Sequence, residues 1–303
     1  MNLRYIKKNK ILYLFVLPAL VFYAMFVYMP MVGIISSFQL YNPIKGIFGS
    51  KFVGLQNFRI LVNTPAFAHT IKNTIFLNLL KLVFTFPAPI IFALLLNEIR
   101  SLKFKKVSQT LSYMPYFMSW VVVAGLWYNM FSLTNGNVND ILLALHIIKA
   151  PVLFLGEPKF FYGILVLQDI WKGCGFSAIY YIAALASVDK QLYEAAEIDG
   201  ANRFQKMVHI TMPGIFTTVV LLFILSLSSI LSANFDQVVT MTNMQVQSAT
   251  DVIDTYVFRI LMNGRSTDIG VGAALSLFKG VIGFILFYIS NRVVKKYSEH
   301  SFL

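Results

Sequence analysis

Apolar residues run along this chain in stretches of about 20 or more, which is the length an α-helix needs to cross the ~30 Å hydrocarbon layer of a bilayer. Six stretches have that character: 11–38, 70–96, 107–131, 160–186, 214–235 and 270–294. The pattern predicts an all-α polytopic membrane protein of six transmembrane helices. A transmembrane domain over 11–294 follows a basic N-terminus (1–10) and precedes a short tail (295–303). The first two stretches exceed an upright crossing, so tilt is expected. The fourth carries Asp169 and Lys172 and is the least apolar. No small-residue cleavage site follows the first stretch, which therefore reads as a retained helix rather than a signal peptide. The segment 236–269 is too polar to span; it reads as an extracellular loop with a partly buried outer helix over 251–262.

Composition agrees. Of 303 residues, 57% are hydrophobic and 13% charged, against roughly 25% charged in soluble domains. A net charge of +12 might suggest nucleic acid, but no RNA- or DNA-binding signature accompanies it. The cations orient the chain instead. Arg4, Lys7, Lys8 and Lys10; Arg100, Lys103, Lys105 and Lys106; Lys190, Arg203 and Lys206; and Arg292, Lys295 and Lys296 fall on one side of the six spans. The longer loops opposite hold only Lys45, Lys51, Arg59, Lys149, Lys159, Arg259 and Arg265. The positive-inside rule then places both termini in the cytoplasm. The single cysteine, Cys174, excludes an internal disulfide and a cysteine zinc cluster. His69, His146, His209 and His300 are scattered, with no metal spacing. Pro87 and Pro89 in the second span either kink it structurally or shape a cavity. Asn263-Gly264-Arg265 and Gly270-Val271-Gly272 read as turns and close helix packing.

The stretch 193–213, YEAAEIDGANRFQKMVHITMP, forms part of a cytoplasmic loop, 187–213. Glu194-Ala195-Ala196-Glu197 favours helix, and Gly200 interrupts it. Phe204, Met207, Val208 and Thr211 then recur at helical spacing. Pro213 suits the first turn of the next span. The chemistry is a short helix, a glycine elbow and a second short helix. Two readings stand on physics alone: a device that docks in a groove of another protein, or an amphipathic connector lying on lipid.

This stretch resembles the EAA loop of ATP-binding-cassette (ABC) importer permeases: Glu194-Ala195-Ala196, Gly200, Ile210 and Pro213 stand at that pattern's spacing, with Met212 in place of its usual Leu. Tyr180-Tyr181-Ile182-Ala183-Ala184-Leu185, Asp199-Gly200-Ala201, Asn73-Thr74 and Leu94-Leu95-Leu96-Asn97-Glu98 are similar to carbohydrate-importer permeases of the maltose type. With Phe86-Pro87-Ala88-Pro89 they look most like the branch for oligosaccharides and polysaccharide fragments. The resemblance implies a type I ABC-importer permease fold in a bacterial plasma membrane. Glu194, Ala195, Ala196, Asp199, Gly200, Ile210 and Pro213 would couple to a cytoplasmic ATPase. It also implies a second homologous permease as heterodimer partner, two ATPase copies and an extracellular solute-binding protein. The chain has no Walker A pattern, so ATP and Mg would belong to the ATPase subunits. This chain would carry no cofactor and no catalytic residue.

Polar groups within the spans suggest a pathway. Lys81, Lys172 and Lys279 lie near mid-span, where ionisable groups usually face a cavity or a partner. Asp169, one turn before Lys172, is expected to pair with it. Asn78, Gln168 and Asn234 are candidates to bond sugar hydroxyls, and Trp171, Phe176 and Tyr180 to stack on sugar rings. The alternative is that the lysines brace neighbouring helices. Three cations against one acid suggest a substrate with carboxylates. An ion-gradient transporter would show paired acids or inverted repeats, and a membrane enzyme clustered acids or histidines; neither is evident.

Overall fold

The computed structural model describes residues 10–262 and 266–297, which are mostly helical. Asn263-Gly264-Arg265, Arg4, Lys7, Lys8 and His300 lie outside the described residues, as do the predicted N-terminal segment before Lys10 and the tail after Tyr297. Two units divide the chain: Met1–Pro65 with Val257–Phe278, and Ala66–Tyr256 with Lys279–Leu303.

The first unit begins with α1, Lys10–Tyr23, which continues through a π-turn, Ala24–Tyr28, and a 3-10 segment, Met29–Phe38. A small hairpin of β1 (Gln39–Leu40) and β2 (Lys51–Phe52) follows, enclosing the single turn α2 (Gly46–Gly49). Next comes α3 (Gln56–Asn63). Asn57, buried on α3, donates through Nδ2 to the carbonyls of Ser37 and Gln39, both at 2.9 Å. Gly270 packs there too: a Cβ on it would stand 2.6 Å from Asn57 Nδ2 and 2.7 Å from the Gln39 carbonyl. Gly270 and Gly272 are thus sites of close packing, as read, but inside a helix rather than in a turn.

The second unit carries the polar core. Its helices are α4 (Pro65–Phe84), α5 (Pro87–Asn97), α6 (Leu102–Tyr113), α7 (Trp120–Met130), α8 (Asn137–Ala144), α9 (Pro158–Leu185), α10 (Lys190–Ile198), α11 (Arg203–Lys206), α12 (Met212–Ser228), α13 (Phe235–Met241) and α14 (Gln247–Thr250). Two more helices, α15 (Ile253–Met262) and α16 (Ser266–Tyr297), run from one unit into the other. The long helix α9 is central and packs on α5, α6 and α12. On one side Phe161, Ile164 and Leu165 join Leu77, Val238 and Met241. On the other, Ala178, Tyr181 and Leu185 join Ile90, Ala93 and Ile215.

Among the described residues, four helical stretches are long and apolar enough to cross a membrane: Lys10–Phe38, Pro65–Asn97, Arg203–Ser228 and Asp268–Val293. The expected third span is broken. It comprises α6 and α7, separated by a 3-10 turn, Met114–Phe117, at Pro115. The fourth, α9, has the length, but Gln168, Asp169 and Lys172 dilute its apolarity. The fifth starts at Arg203 rather than near 214 and stops at Ser228 rather than near 235. Serine explains the early stop. The hydroxyls of Ser226, Ser228 and Ser229 donate to the carbonyls of Leu222, Leu225 and Ser226 at 2.9, 2.7 and 3.0 Å; such bonds compete with the helix ladder. The helix expected over 251–262 is present as α15 from Ile253, with Asp251 Oδ1 accepting from Thr255 at 2.6 Å just before it.

The approach of α9 to α6 depends on a missing side chain. A Cβ at Gly175 would lie 2.2 Å from the Ser112 carbonyl oxygen, a backbone atom that a rotamer change cannot move. Gly175→Ala is therefore expected to cost about 1–3 kcal/mol through overpacking. The check is the yield of monodisperse protein in detergent after mild heating; Gly173→Ala, where no atom lies within 4 Å, serves as control.

Candidate functional site: an exposed elbow and a polar cavity

The elbow forms as the sequence directs. Asp189 caps α10, its Oδ1 accepting from the Gln191 amide at 2.9 Å. Gly200 ends the helix with φ +77°, a conformation open to glycine at little cost. The Gly200 amide donates to Glu197 at 3.1 Å and the Ala201 amide to Ala196 at 2.9 Å, the two bonds of a Schellman closure. Asn202 and Gln205 then form a reciprocal capping box that starts α11. The second helix differs from expectation: it is no separate element, but runs through a π-turn, Met207–Thr211, into α12. The wider turn lets the helix continue through Pro213.

Two polar bonds tie the halves of the elbow together. Lys206 Nζ donates to Glu197 Oε1 at 2.5 Å. Tyr193 Oη and Thr211 Oγ1 are 2.9 Å apart. The Lys206 ammonium holds the Glu197 carboxyl below the usual carboxylate range. Gly214 meanwhile sits where a Cβ would meet Val188 at 2.7 Å. What remains outside is a rim: Glu194, Ala195 and Asp199 are exposed, as are Leu192, Ile198 and Phe204. Ile210 is half-buried in the π-turn and Pro213 is exposed.

Deeper in the same unit, two helix breaks shape two adjoining cavities of about 430 and 440 Å³. They share Thr85, Pro89, Asp169 and Ser177. Pro87 and Pro89 lack an N–H and interrupt the second span at Thr85-Phe86, and Pro89 also lines the space. Thr85 Oγ1 is buried there without a hydrogen-bond partner. The second break, at Pro115, frees carbonyls that apolar surroundings cannot satisfy. Lys172 satisfies them: its ammonium donates to Tyr116, Met118 and Pro115 at 2.5, 2.7 and 3.4 Å. It also stands 5.3 and 5.2 Å from the centroids of Tyr116 and Trp120, and only 7% of the residue is exposed.

The expected pairing of Asp169 with Lys172 is overturned. Asp169 Oδ2 pairs with Lys81 Nζ at 2.7 Å, because the neighbouring helix brings Lys81 opposite while Lys172 turns to the Pro115 break. Lys81 also donates to Gln237 Oε1 at 2.7 Å. Gln237 Nε2 continues the network to Leu165 O at 2.8 Å and Gln168 Oε1 at 3.0 Å. Gln168 itself is fully buried and bonds Met241 Sδ at 3.4 Å; it braces the core and lines neither cavity. Asn78 lines the first cavity while donating to the Ile230 carbonyl at 2.8 Å. Tyr180 lines the first cavity and Asn234 the second. Phe176 stacks on Tyr116, centroids 3.8 Å apart, rather than offering a free face.

Besides Gln168 and Phe176, two more candidates fall outside. Trp171 is half-exposed and lines neither cavity. Lys279 bonds Asp254 instead of entering the pathway. Three free mid-span cations thus reduce to one ion pair, one carbonyl-held lysine and one peripheral pair. Sequence reasoning missed Gln237, Thr85, Tyr116 and Trp120. The prolines beside Thr85 and Tyr116 were the available signal, since a proline break exposes its neighbours; Gln237 had none.

The chain is 39% identical to Protein LplB of Bacillus subtilis (strain 168), over 97% of this chain and 91% of that one. It is 40% identical to the polygalacturonan/rhamnogalacturonan transport system permease protein YteP of the same strain, over 96% and 90%. Its structure is similar to a chain in the crystal structure of a bacterial ABC transporter involved in the import of the acidic polysaccharide alginate, with TM-score 0.87, 34% identity and coverage of 97% and 98%. Residues 68–299 match the binding-protein-dependent transport system inner membrane components, and this multi-pass membrane chain belongs to that family.

Proposed function

We propose that this permease forms half of the translocation pathway of an ABC importer for acidic oligosaccharides. The single observation that carries the substrate class is the charge of the cavity wall. Asp169 neutralises Lys81, while Lys172 has only carbonyl dipoles as partners among the hydrogen bonds it makes. Lys81, Asp169 and Lys172 together therefore leave one net positive charge on the wall of the two cavities, in surroundings of low dielectric that strengthen its field. A carboxylated sugar entering beside it gains attraction that a neutral sugar lacks. The unpartnered Thr85 hydroxyl, Ser177 and Tyr180 line the space, and Tyr116 and Trp120 give it aromatic walls, the mixture suited to a sugar. YteP, named for polygalacturonan and rhamnogalacturonan transport, and the alginate transporter support the same reading.

In this reading the chain adopts the six-helix arrangement with both termini cytoplasmic and 236–269 outside. It pairs with a second permease in a complex with two ATPase copies, docks on a cytoplasmic ATPase subunit through the elbow and receives sugar from a solute-binding protein. Glu194, Ala195, Ala196, Asp199, Gly200, Ile210 and Pro213 form the docking segment, with ATP and Mg on the ATPase. The elbow and the cavity wall share one helix. From Arg203 to Ser228 the chain is continuously helical, roughly 39 Å at 1.5 Å per residue. Its far end supplies Leu222, Leu225 and Ser226 to the first cavity. With α10 fastened by Glu197–Lys206 and Tyr193–Thr211, a displacement of the elbow moves that wall.

The test replaces Lys172. Lys172→Met removes the charge and leaves the break carbonyls open, each costing about 1–3 kcal/mol if unsatisfied; Lys172→Arg retains both functions. At matched expression, uptake of a uronic-acid oligosaccharide by Lys172→Met is expected to fall by about tenfold relative to a neutral one, for ~1.4 kcal/mol of lost attraction. Lys172→Arg is expected to recover most of it. Equal loss for both sugars would reduce Lys172 to a brace and remove the argument for an acidic substrate.

A further inference from the structure

We propose that the hairpin over 39–52 is a membrane anchor, seated in the headgroup boundary of the bilayer at the end of the first membrane-crossing helix. Its apolar edge is Ile44 and Phe48, and its lysines are Lys45 and Lys51.

The hairpin is pre-formed. Gln39 pairs with Phe52 and Leu40 with Lys51. Asn42 Oδ1 accepts from the Ile44 amide at 2.9 Å, and the Asn42 amide donates to Ser50 Oγ at 2.9 Å. Ser50 Oγ in turn donates to the Gly46 carbonyl at 2.6 Å, and Gln39 Nε2 to the Ile47 carbonyl at 2.8 Å. Gly46 takes φ +65° to make the turn. All this order presents two large apolar side chains outward: Ile44 and Phe48 are each 95% exposed. A loop ordered by its own hydrogen bonds has no internal reason to hold them there.

Placement identifies the occupant. The helical run Lys10–Phe38 has no buried residue in its most apolar window, so none of its sides there is covered by this chain. Its length is about 48 Å, at ~1.5 Å per helical residue and ~2 Å per 3-10 residue. A bilayer with its headgroups is ~40–45 Å thick, and an ordinary tilt of ~20° brings the two into line. With Lys10 at one surface, Phe38 and the hairpin stand at headgroup depth on the other. There an isoleucine and a phenylalanine meet acyl chains while lysines extend to the phosphates. No acidic residue occurs between Gln39 and Phe58, so nothing opposes an anionic surface.

The experiment uses Phe48→Trp in the assembled transporter, in nanodiscs, with the unsubstituted complex subtracted because Trp120, Trp127 and Trp171 also emit. Quenching of the added emission by lipids brominated near the headgroup end of the acyl chain is expected to exceed that by aqueous iodide about twofold or more, as for a side chain at the headgroup boundary. Adding Lys45→Gln with Lys51→Gln is expected to reduce the bromolipid quenching in phosphatidylglycerol discs and leave it unchanged in phosphatidylcholine. Dominant iodide quenching overturns the proposal. So does iodide quenching that disappears only when the solute-binding protein is added, which would assign the edge to that protein.

Discussion

Asp169→Leu and Lys81→Met are each expected to destabilise the assembled permease by about 3–5 kcal/mol, whereas the double substitution costs far less than the sum. Each single change strands a charge in the membrane interior: the side chains are only 16% and 13% exposed and lie 2.7 Å apart. Lys81 has a further tie, since its loss also removes the donor to Gln237 Oε1. That leaves the double variant with one open acceptor, so it recovers most of the stability but not all. Heating detergent-purified complex and following the monodisperse fraction by chromatography measures the cycle. Strict additivity would mean that the two groups do not act as a pair. A second comparison separates stability from transport. If the pair merely braces α4 against α9, the stable double variant transports normally; if it forms part of the cavity wall, sugar uptake falls although the fold survives.

Gly200→Pro is expected to abolish ATP-driven uptake while membrane insertion and partner-independent folding persist. Gly200 has φ +77°; proline is held near −65°. Proline also deletes the amide that donates to Glu197 at 3.1 Å, and with it half of the closure that ends α10. The helix then either continues or frays, and Leu192, Ile198 and Phe204 no longer stand in their present arrangement. Gly200→Ala is the graded control, since a left-handed alanine costs only about 1–2 kcal/mol, and nothing lies within 4 Å of its Cβ. Uptake is expected to fall in the order glycine, alanine, proline at constant expression. ATPase rates of the complex, with and without loaded binding protein, report whether the loss is one of coupling. Normal uptake by Gly200→Pro would contradict the docking role of the elbow.

How much of this was legible in the sequence differs by feature. The elbow was readable because its determinants are local: a helix-forming run, one glycine and a capping pair lie within about three turns. The cavity was readable only in part. Hydropathy marks depth along a helix but not the direction a side chain takes. Lys81, Lys172 and Lys279 therefore looked alike. The structure gives them Asp169, a set of carbonyls and Asp254 respectively. The partner of Asp169 was misassigned for the same reason: i,i+3 proximity on α9 competed with a lysine on another helix, and the tertiary contact won. The third and fifth spans shifted because proline and serine act on backbone hydrogen bonds, which an apolarity window does not register. Gln237 was invisible: its polar loop setting concealed a fully buried amide linking α4, α9 and α13.

The central claim is that this chain conducts an acidic oligosaccharide only when its elbow is driven by a separate ATPase. The direct measurement is uptake of a labelled uronic-acid oligosaccharide into proteoliposomes holding this permease with its partner permease and ATPase, with the solute-binding protein outside and ATP inside. The account predicts uptake that requires ATP and the binding protein, is unaffected when proton and sodium gradients are collapsed, and disappears with Gly200→Pro. Uptake that proceeds without ATP and stops when an ion gradient is collapsed would contradict it.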